Sequence, residues 1–249
     1  VKRIGSEICG VALLLILISF SASFANGIQI QSDTVIKASQ RTGGGENSEK
    51  LLLPVYEYLG LDYGDSELGG VSFHLYGWGR KDLAGADYFE DDPDGDLLYG
   101  YLEYRKPYGS FNARLGRQHL FAGVTNESMD GLRLGGSLGD QFTLTLFGGV
   151  PSAYDDDDAN RGELTYGGRV AHHNAANYEV GLSYQRIDGS DGLIEEKAGA
   201  DLNVQLGSWF SFSGLSSINV TSGQWCEHNY SMSLQWLDFS LEPLYQRFQ

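Results

Sequence analysis

Residues 96–120 read DLLYGYLEYRKPYGSFNARLGRQHL. The stretch divides into two runs of about ten residues each, the length at which a tilted β-strand crosses the hydrocarbon core of a bilayer. A tight turn at residues 106–110, KPYGS, joins them. Tyr99, Tyr101, Tyr104, Tyr108 and Phe111 gather where a membrane interface would fall. Aromatic girdles of this kind mark the two interfaces of a transmembrane barrel.

The rest of the chain repeats the pattern. In residues 69–79, Val71, Phe73 and Leu75 share one face, and Ser72, His74 and Tyr76 share the other. In 196–206, Ala198, Ala200, Leu202 and Val204 stand opposite Lys197, Asp201, Asn203 and Gln205. Period-two alternation is the signature of a half-buried strand. It recurs through 34–40, 55–63, 128–135, 141–149, 164–172, 178–187, 210–219, 227–236 and 238–248, so the sequence predicts about thirteen strands and almost no helix. Longer loops at 80–95, 121–127, 150–162, 188–195 and 220–226 alternate with short turns. A bacterial outer-membrane barrel has short periplasmic turns and longer external loops, whereas a soluble sandwich has no reason to keep that alternation. The expected fold is therefore all-β, a transmembrane antiparallel up-and-down β-barrel. The odd strand count, and an end at Arg247-Phe248-Gln249 without a terminal aromatic residue, predict the N-terminal part of a longer barrel of about 14–18 strands.

Residues 1–25 carry the marks of a secretory leader. Lys2 and Arg3 precede the ten-residue apolar run VALLLILISF at 11–20, and Ser23-Phe24-Ala25 predicts cleavage after Ala25. The run is too short for a membrane-spanning helix. Residues 26–249 are then the barrel domain. The formal net charge is −16, and loss of Lys2, Arg3 and Glu7 with the leader leaves 15 basic and 32 acidic residues. Nucleic acid is excluded as a partner, because phosphate binding needs a basic face. Cys9 departs with the leader, so Cys226 has no partner for a disulfide and the mature chain has no Cys-rich metal site.

Alternation puts Arg114, Arg133, Arg169, Lys197 and Asp201 on the polar side of their strands, as pore-lining residues. A row of cations would focus anions; an ion-paired, solvated lumen wall is the other reading. Arg117 falls on the lipid-facing parity, which predicts a rim position or a bulge. Glu90, Asp92 and Asp94, followed by Gly95, resemble the start of a calcium loop, but Tyr101 stands where the bidentate acid should be. Weak calcium binding in an external loop is the cofactor expectation, and no other metal or cofactor is expected. Asp155–Asp158 is a bare charge run, read as solvated loop. No H-E-x-x-H or G-x-S-x-G occurs, so no catalytic residue is nominated and no enzyme activity is expected.

Gly116-Arg117-Gln118, followed by Met129-Asp130-Gly131, resembles porin-like outer-membrane channels of Gram-negative bacteria. With Tyr56-Glu57-Tyr58-Leu59-Gly60 and Tyr76-Gly77-Trp78-Gly79-Arg80, the chain is also similar to barrel proteins from bacteria that perform extracellular electron transfer. The resemblance implies a bacterial outer-membrane location, contact with its lipid, and diffusion of small hydrophilic solutes or ions through a polar lumen, alone or as a homo-oligomer. The alternative it implies is a barrel that sheaths a multihaem cytochrome or another partner. No family site is matched residue by residue.

Overall fold

The structure, a computed structural model, describes residues 14–24, 27–42, 49–64, 69–85, 89, 91–152, 163–174 and 177–248. All sixteen elements are strands: β1 (Leu14–Phe24), β2 (Ile28–Thr42), β3 (Glu49–Leu52), β4 (Pro54–Tyr63), β5 (Gly70–Asp82), β6 (Asp94–Arg105), β7 (Asn112–Ala122), β8 (Thr125–Leu138), β9 (Phe142–Pro151), β10 (Leu164–Asn174), β11 (Tyr178–Gly189), β12 (Gly192–Leu206), β13 (Phe210–Asn219), β14 (Trp225–Trp236), β15 (Phe239–Leu241) and β16 (Leu244–Phe248). Successive strands pair antiparallel in an up-and-down path, β1-β2-β4 and onward to β15, with β3 beside β2 and β16 beside β14. The path is open: no pairing among the described residues closes it into the expected barrel.

All thirteen expected strands are present, and the higher count has two physical sources. Two long strands are interrupted at proline, which has no N–H to give a ladder. β3 and β4 pair β2 in one register, Ser39↔Leu52 and Ile36↔Val55, with the break just before Pro54. β15 and β16 likewise share one register on β14, Leu234↔Leu241 and Ser231↔Leu244, broken at Glu242-Pro243. The other addition is β1, paired with β2 from Leu14↔Ala38 to Phe24↔Ile28. It overlaps the expected leader, whose residues 1–13 and cleavage residue Ala25 lie outside the described residues.

The chain divides into two units, residues 1–64 with 73–98 and residues 65–72 with 99–249. In the first, β2 and β4 pair over Ile28↔Tyr63 to Ile36↔Val55, and β4 and β5 over Pro54↔Asp82 to Tyr63↔Phe73.

The second unit holds the longest run of sheet, and two expected loops are absent from it. The stretches 121–127 and 188–195 are two-residue turns, at 123–124 and 190–191, between strands that run on through them. The polarity of 188–195 belongs to strand ends that are half-buried or exposed, whereas 121–127 is a hairpin tip with Ala122 and Thr125 buried. The connection between β9 and β10 is at the same end of the strands as these turns.

Burial in this unit is inverted. Leu102, Leu115 and Leu182 are 50, 58 and 61 % exposed, as are most large apolar side chains of their parity. The opposite parity is polar and buried: Glu103, Thr165, Ser183, Gln185 and Ser217 are at most 6 % exposed. Folding in water puts apolar side chains inside, at about 25 cal/mol per Å² removed from solvent. Here the apolar face is left to the surroundings.

Candidate functional site

The polar face of the second unit carries an inward-folded hairpin. β7 pairs with β6 only as far as Arg117, and β8 pairs with β9 only from Met129 onward. Beyond Gln118↔Met129 the ladder runs on between the hairpin's own two strands, from His119↔Ser128 to Ala122↔Thr125. The root of this tip is the motif pair singled out in the sequence: Gly116↔Gly131, Arg117↔Asp130 and Gln118↔Met129 stand directly opposite one another. Gly116 has φ +128°, a backbone that disfavours side chains. A Cβ there would strike the Gly100 carbonyl, and one on Gly131 the Gly148 carbonyl. These glycines let the hairpin leave the wall.

The tip lies across β10, β11 and β12. The Val124 N–H donates to Ser183 Oγ at 3.0 Å. Glu127 Oε1 accepts from Thr165 Oγ1 and Gln185 Nε2, both at 2.7 Å. Beneath the tip Leu120, Ala122, Met129 and Phe147 form a buried apolar cluster on the otherwise polar side. Its other side carries Arg117, His119, Asn126, Ser128 and Asp130. Arg117 grips Asp130 through two hydrogen bonds, at 2.9 and 3.0 Å, and His119 meets Asn126 at 2.9 Å. Arg117 keeps the parity of the apolar face, and the strand leaves the sheet beside it.

The five expected pore-lining residues fall into separate settings on this face. Arg169 donates from Nε to Asp201 at 3.0 Å and from Nη2 to Glu179 at 2.6 Å. It does so across Gly181, where a Cβ would come within 2.6 Å of both the guanidinium and Asp201. Lys197 pairs with Glu195 at 2.8 Å. Arg114 lies opposite both Glu103 and Arg133. It pairs with Glu103 at 3.3 Å and sits 5.0 Å over the Tyr101 ring. Arg105 shares Glu103, at 3.3 Å. Arg133 makes no hydrogen bond or ion pair among the described residues. Three arginines thus surround one acid at this level, while two acids answer Arg169. The face is mainly a cross-linked wall, with cationic excess near Arg133.

Beyond the arginine bridge lies a cavity of about 540 Å³ lined by β9–β14. Its polar lining includes Thr143, His173, Glu179, Asn203, Ser213 and Ser231. Sequence alternation puts Asn203 on the polar face; what it cannot show is that strands β10 to β14 meet at one level there.

In the first unit, Asp92 Oδ1 accepts the Asp82 N–H at 2.9 Å, and Asp94 pairs with Arg80 at 3.0 Å. Two of the three carboxylates of the expected calcium loop are thus committed to the protein. Glu90 lies outside the described residues, as do Asp155–Asp158. No group of three or more metal-ligating side chains occurs among the described residues. His172 meets Phe142 edge-on and stacks on Tyr178 on the apolar side, away from His173.

No family model and no curated protein matches this chain.

Proposed function

We propose that the chain forms a porin-like channel of a bacterial outer membrane. The apolar face would meet lipid, and the polar face would wall a water-filled path for small hydrophilic solutes. The observation that carries this reading is the inverted burial, polar side chains inside and leucines outside, which suits a protein whose solvent is hydrocarbon. Strands β6 to β14 are each ten or more residues long, enough to span when tilted. Aromatic residues cluster at the short-turn end, with Tyr104 near Phe111 (6.4 Å) and Trp209 near Phe210 (5.8 Å). Toward the other end of β10–β12, Tyr166 donates to Asp188 and Tyr184 to Glu196, at 3.1 and 2.6 Å. Tyrosine rings with hydroxyls on charged groups suit a lipid–water interface.

Closure of the sheet completes the wall in this reading, the leader at 1–25 directs export, and the folded-in tip narrows the path. Passage is by diffusion, steered by the arginines around Glu103. The test is single-channel recording on the purified full chain in planar bilayers. Discrete, ohmic steps are expected; a chain that inserts and never conducts overturns the proposal.

A further inference from the structure

We infer that the cavity lined by β9–β14 binds a neutral, hydroxyl-rich solute of short-saccharide chemistry, an inference that rests on the channel reading and names what the channel selects. His173, Glu179, Asn203, Ser213 and Ser231 stand at one level across five neighbouring strands, as the pairings His173↔Glu179, Glu179↔Asn203, Asn203↔Ser213 and Ser213↔Ser231 require. At about 4.8 Å per strand the row is roughly 19 Å long. Gln205 and Ser211 pair at the next polar level and line the same cavity.

Apart from Glu179, which Arg169 holds, the hydrogen-bonding capacity of this row is uncommitted. Asn203, Gln205, Ser211, Ser213 and Ser231 make no side-chain hydrogen bond among the described residues. His173 Nδ1 is buried without a partner. By contrast, neighbouring side chains of this face are tied to one another, Arg169 to Asp201 and both Thr165 and Gln185 to Glu127. Free amides and hydroxyls both donate and accept, as sugar hydroxyls do.

Charge narrows the ligand class. Glu179 is the one acid in the lining, and Arg169 holds it at 2.6 Å. No lysine or arginine lines the cavity, and Arg169 beside it is already paired with Glu179 and Asp201. A hard divalent cation takes six or more oxygen ligands, several of them carboxylates, and one paired carboxylate does not supply them. The volume of about 540 Å³ falls within the ~300–1,000 Å³ of small-ligand sites.

The experiment is titration of maltotriose, with inorganic phosphate as the anionic control, on the full chain in planar bilayers. Saturable current block by maltotriose, and none by phosphate at matched ionic strength, is expected. Asn203→Ala and Ser213→Val should each weaken the block about tenfold or more; Gln205→Glu serves as a second probe if either fails to insert. An open channel whose current falls linearly with maltotriose, equally in the variants, overturns the inference and leaves the channel reading intact. If the chain does not conduct, the channel reading fails, and calorimetric titration of maltotriose into the detergent-folded chain decides the inference: saturable heat supports it, and no heat overturns it.

Discussion

Gly181 is where a single hydrogen atom in place of a side chain makes an ion-pair network possible. Arg169 reaches from β10 across β11 to Asp201 on β12 only because that space is free. Alternation in the sequence was enough to put Arg169 and Asp201 on one face. It could not show that they touch, because the intervening strand's contribution is an absence. Glu179 has the same parity but sits near a strand end, where an acid reads as solvated. Removing the arginine strands two acids, one of them 11 % exposed. Arg169→Ala should lower stability by roughly 2–4 kcal/mol, less than a fully buried network because Glu179 is one-third exposed. Urea unfolding from lipid vesicles measures it. Asp201→Asn added to Arg169→Ala should recover part of the loss, and no recovery would mean that unpaired charge is not the cause.

At the scale of elements, nearly every strand was legible, since period two survives in any half-exposed sheet. The hairpin tip was not. Residues 121–127 (FAGVTNE) are short of alternation and hold Gly123 and Asn126, so they read as a loop. The signal that marks the tip is a parity conflict: Leu120, Ala122 and Met129 are apolar on the polar side, while Arg117 and Asp130 are charged on the apolar side. A strand that leaves a wall and folds onto its inner face exchanges its environments, and the residues follow. The breaks at Pro54 and Pro243 follow from the missing N–H, but registers on both sides were needed to see single strands through them. Replacing residues 119–128 by an Asn-Gly turn, a geometry suited to a two-residue hairpin, removes the tip from the polar face. Conductance should rise by about twofold or more as the path widens. Stability should fall by about 2–4 kcal/mol from the loss of Leu120 and Ala122 burial. Unchanged conductance would mean that the tip does not narrow the path.

For the whole molecule, the sequence predicts an all-β antiparallel chain, and the sheet is one. Which medium each face meets is a separate matter. Alternation looks the same in a soluble sheet and in a membrane wall; the two differ in which parity is buried, and that depends on how the strands curve and what folds onto them. In the second unit the polar parity is buried, through the tip, the arginine bridge and the hydrogen bonds of Thr165 and Gln185 to Glu127. The measurement that bears most directly on this is a nitroxide scan of β11 from Val180 to Gln185 in lipid vesicles, with Cys226 replaced by Ser. Val180, Leu182 and Tyr184 should be accessible to oxygen, which partitions into lipid, and shielded from a water-soluble nickel chelate. Gly181, Ser183 and Gln185 should be shielded from oxygen, giving a strict two-residue period in opposite phase for the two probes. Equal access of the nickel chelate to both parities, or oxygen accessibility with no two-residue period, would contradict a wall with lipid on one side and a polar path on the other.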